Sequence, residues 1–108
     1  MSNLKLNLVT ALERIPGITH QPWPERDDGF STIHFHDREI AHFHNFNEID
    51  LRLGRRLIKQ EKLTPPTDSI HHPKRSANSQ FLEMRFTQTQ DIQRIVHLVK
   101  LLTGMAGA

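Results

Sequence analysis

The chain has 108 residues, enough for one domain with a single modest core. Hydrophobic residues make up 36%, and 14 basic against 12 acidic side chains leave a formal net charge of +2, so long-range attraction to polyanions requires local clustering of charge. The absence of cysteine excludes disulfides, thiolate nucleophiles and cysteine-ligated zinc.

Residues 3–15 carry Leu4, Leu8, Leu12 and Ile15 at helical spacing, joined by Val9 and Ala11, which predicts an amphipathic helix with Ser2 or Asn3 as its cap. Pro16-Gly17 ends it. Lys5 and Asn7 interrupt the leucines, so no signal-peptide core is expected, and no apolar run approaches a membrane span. The expectation is a soluble cytoplasmic protein with no membrane partner. Residues 19–30, with Pro22 and Pro24 around Trp23, read as a connector, with Trp23 as a plug over one edge of the core.

Three alternating runs follow in residues 31–53: Ile33 to His36, Ala41 to His44, and Glu48 to Leu53. Alternation is the strand period and predicts a three-stranded antiparallel meander. After Gly54, Arg55 to Lys62 reads as a short helix. Thr64 to Ser69 reads as a loop, Ile70-His71-His72-Pro73 as the start of an extended segment, and Lys74 to Ser79 as another loop. Phe81 to Phe86 is a fourth strand, with Leu82, Met84 and Phe86 on one face. A final helix runs from about Thr89 to Leu102, with Thr87 and Gln90 at capping-box spacing and Gly104 as its stop. Ile92, Ile95, Val96, Val99 and Leu102 form its apolar stripe, and His97 lies off the stripe. The order implies a single α+β domain over residues 1–108, with a mainly antiparallel sheet and flanking helices.

Register turns the histidines into a candidate site. Ile33, Phe35, Ala41 and Phe43 share a face if one side of the hairpin is buried. A three-residue turn at Asp37-Arg38-Glu39 satisfies this and sets His34 opposite His42. His34, His36, His42 and His44 then share the other face, at the cost of leaving Ile40 there too. A second turn at Asn45-Phe46-Asn47 sets His44 opposite Glu48 and His42 opposite Asp50. Strands lie about 4.8 Å apart, so imidazoles and carboxylates on this face can converge on a metal or exchange protons around a substrate. The candidate ligands are His34, His42, His44 and Asp50, with Zn²⁺, Fe²⁺ or Mn²⁺ as the cofactor that such nitrogen and oxygen donors suit. The same face is also compatible with plain solvation or with a contact between two copies of the chain.

Asp37-Arg38-Glu39-Ile40-Ala41-His42-Phe43-His44, followed by Asp50 and by His71-His72-Pro73, resembles the small luciferase-domain family. Pro16-Gly17 and the Phe81–Leu102 strand–helix unit extend the resemblance over nearly the whole chain. Ala41 stands where the family often has glycine, and Phe81 where tryptophan is usual. No settled activity comes with this resemblance. It implies Glu39, His42, His44, Asp50 and His72 as the catalytic candidates. The family is similar in turn to YjbR- or MmcQ-like α+β domains, some of which are associated with DNA binding. That likeness adds a nucleic-acid alternative, in which Arg52, Arg55, Arg56, Lys59 and Lys62, with Lys74-Arg75, contact phosphate. Three functions therefore stand open: a small-ligand or metal pocket, a nucleic-acid module, and a homodimeric interaction domain.

Overall fold

Alternating apolar residues organise the molecule into one sheet with a dry side and a polar side. The computed structural model describes residues 3–64 and 79–104. The elements are α1 (Leu4–Glu13), β1 (Ile18–Pro22), β2 (Ser31–Phe35), β3 (Arg38–Phe43), β4 (Glu48–Arg52), α2 (Arg55–Gln60), β5 (Phe81–Arg85) and α3 (Thr89–Thr103). The five strands form an antiparallel sheet in the order β1-β2-β3-β4-β5. The α+β class is as expected. The extended segment expected at Ile70–Pro73 and the loops expected on either side of it lie outside the described residues, apart from Thr64 and Ser79.

β1 corrects the reading of residues 19–30 as connector. Ile18–Pro22 pairs with β2 along its whole length. Its five residues include one buried apolar side chain, Ile18. An edge strand with so little to bury carries almost no alternation signal, and Pro22 is tolerated at its end because the edge needs no further donor.

The dry face joins Ile33, Ala41, Leu51 and Leu82 in one row across four strands. Phe43 and Ile49 lie in the next row, and all six are nearly or fully buried. α1 contributes Leu8, Val9 and Leu12, and α3 contributes Ile92, Ile95, Leu98 and Val99. These residues form one continuous core. Phe43 and Phe86 meet edge to face at 5.8 Å in its centre. His20 joins this side, where Nε2 lies 2.9 Å from Ser31 Oγ. Burial, and then the Lys5 charge, lower its pKa.

The β2–β3 hairpin corrects the predicted register. Ile33 pairs with Ala41 and Thr32 with His42, whereas His34 pairs with Glu39 and Phe35 with Arg38. The turn therefore has two residues, His36 and Asp37, and His36 takes a φ of 56°. A positive φ there matches the twist of two-residue hairpins. The register shift leaves Ile40 as an extra residue, a β-bulge. The bulge puts Ile40 and Ala41 both toward the core, at 6% and 1% exposure, so Ile40 does not sit on the polar face. The second hairpin follows the expectation: His42 pairs with Asp50, and the His44 N–H donates to the Glu48 carbonyl at 3.0 Å.

The helix caps also differ from expectation. Asn3 occupies the cap position of α1 without a side-chain bond to it. α3 is capped through Gln88 and Asp91, not Thr87 and Gln90. Asp91 Oδ2 accepts from the Thr87 and Gln88 N–H groups at 2.9 and 3.2 Å, and its charge favours a helix start. Gly104 closes α3 at a φ of 78°.

Candidate metal centre

One row of side chains crosses the polar face: Gln21, Thr32, His42, Asp50 and Glu83, one from each strand. His44 and Glu48 stand one step along their strands. The alternation that builds the core thus drives five acid or imidazole groups onto the opposite side. They are not solvated as such a face usually is. Asp50 is 1% exposed, Glu83 3% and Glu48 8%, and His44 is nearly buried.

His42 Nε2 lies 3.7 Å from Asp50 Oδ2, and its Nδ1 lies 3.6 Å from Glu39 Oε2. His44 Nδ1 lies 3.3 Å from Glu83 Oε1, and the rings of His42 and His44 are 5.0 Å apart. Donor atoms of His42, His44 and Asp50 all lie within 4.8 Å of one another. Those of His44, Glu48 and Glu83 satisfy the same limit. The cluster is therefore able to chelate a metal ion. Three buried carboxyl groups bring up to three negative charges into a small volume, where each is costly unless it is paired.

Aromatic rings wall the centre. Phe30 lies 5.8 Å from the His42 ring and Phe81 6.5 Å from it. Phe30 is placed by the segment between β1 and β2. Asp28 Oδ1 accepts from the Phe30 N–H at 3.1 Å, and Arg26 packs 4.3 Å above the Phe30 ring. Hydrogen bonding from Arg26 holds the Asp28 carboxyl down to about 2. Gly29 has a φ of 87°, and a Cβ there would come within 2.8 Å of the Asn45 carbonyl carbon, so only glycine lets this segment pass the β3–β4 turn.

Trp23 corrects its predicted role. It is 40% exposed and lies over the polar face, where Nε1 donates to Thr32 Oγ1 at 3.3 Å. The indole N–H needs an acceptor, which the core does not offer. The Thr32 hydroxyl also shares a hydrogen bond with His34 Nε2 at 3.0 Å.

The structure thus brings together His42, His44 and Asp50. Glu39 touches His42 from a half-exposed position. His34 shares their face but belongs to neither set of converging donors, because the bulge pairs it with Glu39 instead of His42. His36 sits in the exposed turn with its ring 4.3 Å from Phe35, which removes it from the predicted row of four histidines. His72 and Lys74-Arg75 lie outside the described residues. Arg52, Arg55, Arg56, Lys59 and Lys62 are exposed. Glu83 is the member that sequence reasoning missed, with Glu48 noticed only as a neighbour. Its signal was a lone acid between Leu82 and Met84. Its register against Asp50 could not be derived, because no short turn links β4 to β5.

Fold and cluster together define a small α+β domain that carries a buried histidine–carboxylate centre on one sheet face. A family model described as the luciferase domain matches residues 37–101, more than half of the chain, and the chain belongs to that family. No curated protein and no solved structure matches it. Among the described residues, no helix is long and apolar enough to cross a membrane.

Proposed function

We propose that this domain binds a divalent transition-metal ion, Zn²⁺, Fe²⁺ or Mn²⁺, through His42, His44 and Asp50, and presents it to a small ligand. The observation that carries the reading is the convergence of two imidazoles and a carboxylate within 4.8 Å, with Asp50 1% exposed. Two nitrogens and one oxygen suit these ions. When bound, the ion supplies Lewis acidity toward a ligand oxygen.

The surrounding residues have separable tasks. Glu39, 3.6 Å from His42 Nδ1, favours the tautomer that leaves Nε2 aimed toward Asp50. Asp50 contributes an anionic donor from the neighbouring strand. Phe30 and Phe81 restrict water around His42 and offer apolar contact to the ligand.

The test is metal analysis of protein purified without a histidine tag or chelator, followed by titration with Zn²⁺, Fe²⁺ and Mn²⁺. The wild type is expected to bind at least one equivalent. The double change His42→Ala with Asp50→Asn should weaken Zn²⁺ binding by at least about a hundredfold. Unaltered Zn²⁺ binding in the double variant, or no uptake of any of the three ions by the wild type, defeats the reading.

A further inference from the structure

We infer that the polar face holds a second cation position, made by His44, Glu48 and Glu83, that prefers a harder divalent ion such as Mn²⁺. The inference rests on the reading of this face as a metal centre and assigns two of its acids a distinct role.

The two sets of converging donors overlap only in His44. The first set offers two nitrogens and one oxygen; the second offers one nitrogen and two oxygens. Softer or borderline ions favour the first, and ions that prefer carboxylate favour the second.

Glu48 supplies the independent sign of a ligand. It is 8% exposed, and its Oε1 accepts from Asn45 Nδ2 at 3.1 Å. Its other oxygen, Oε2, is buried and accepts no hydrogen bond. A buried carboxylate oxygen without such a partner is costly, and a cation at the centre of the His44, Glu48 and Glu83 donors removes that cost. The β3–β4 turn fixes the geometry. Asn45 holds Oε1 with its Nδ2, its Oδ1 accepts from the Asn47 N–H at 2.9 Å, and the His44 N–H is bonded to the Glu48 carbonyl. Glu83 enters from β5, with Oε1 3.3 Å from His44 Nδ1, so a ring nitrogen faces this side of the cluster.

A neutral imidazole has one lone pair on nitrogen. His44 therefore serves one ion at a time, and ions at the two positions compete for it. The identity of the metal then decides which acids are engaged: Asp50 with a nitrogen-preferring ion, Glu48 and Glu83 with an oxygen-preferring one.

Mn²⁺ and Zn²⁺ titrations of the intact chain test this, with Mn²⁺ followed by electron paramagnetic resonance. Glu48→Gln should weaken Mn²⁺ binding by at least about tenfold and leave Zn²⁺ affinity within about threefold of wild type. His42→Ala should show the opposite pattern, and Zn²⁺ should displace Mn²⁺ from the wild type. Glu48→Asp, which keeps the charge and withdraws the oxygen, provides a second variant with the same expected direction. If Zn²⁺ binds through His42 and Asp50 but neither Glu48 variant alters Mn²⁺ binding, the second position is refuted and the first reading stands. Equal weakening of both ions by every variant also refutes it, by showing a single position. If the wild type binds neither ion, the second position is refuted, and the first reading falls too when Fe²⁺ also fails to bind.

Discussion

Glu48→Gln probes the electrostatics of the polar face in the ion-free protein. The glutamine carbonyl is placed to keep the 3.1 Å bond from Asn45 Nδ2. Its amide NH₂ replaces Oε2, the buried oxygen that accepts no hydrogen bond. An unsatisfied buried polar group costs roughly 1–3 kcal/mol, so the exchange should stabilise the ion-free fold by about 1–2 kcal/mol. For a domain of this size that is a rise in Tm of roughly 4–8 °C. A bound ion should work against this advantage. With Mn²⁺ at a hundred times the wild-type Kd the wild type gains about 2.7 kcal/mol and a variant weakened tenfold about 1.4 kcal/mol, so the ion should remove about 1.3 kcal/mol of the variant's advantage. Calorimetric melts in chelator and in Mn²⁺ measure both halves. A variant that melts below wild type in chelator would show that the Glu48 charge is already compensated within the fold, and the reasoning would fail.

Phe43 is fully buried, edge-on to Phe86, with Lys5 Nζ 4.8 Å from its ring centroid. Phe43→Ala should cost about 3–5 kcal/mol in urea unfolding, and a loss below about 1 kcal/mol would contradict its place at the centre of the core. His20 has a pKa lowered by burial and by Lys5, so the folded chain refuses a proton that the unfolded chain accepts below about pH 6.5. Unfolded protein then binds more protons, and stability falls as pH drops through that window. His20→Gln should flatten the decline in Tm between about pH 7.5 and about pH 5.5, and identical slopes for the two proteins would rule out the assigned environment.

Some of the centre was legible from residues alone. His42 opposite Asp50, and His44 opposite Glu48, follow from a short turn with apolar residues on both sides, because period-two alternation leaves one register that buries Phe43 and Ile49 together. The first hairpin was less legible. The predicted and observed registers give Ile33, Ala41 and Phe43 the same face, so alternation could not separate them. The sequence reading placed Ile40 on the polar face; a bulge let it be buried, and the turn shortened to two residues.

Apolar periodicity, a local property, determined the strands β2 to β5, the three helices and the two-faced sheet. It also determined that the histidines of 42 and 44 stand on the face opposite Phe43. Tertiary structure alone decided three things: that Ile18–Pro22 is a strand, that His34 and His36 stand apart from the converging donors, and that Glu83 joins them. Each depends on pairing between segments whose own residues do not announce it. β1 has one apolar residue to bury, the bulge trades one register for another with the same core face, and β5 reaches β4 from about thirty residues away. Contacts of that kind are selected by the packing of the whole domain, which rewards a closed core and leaves the polar side to follow.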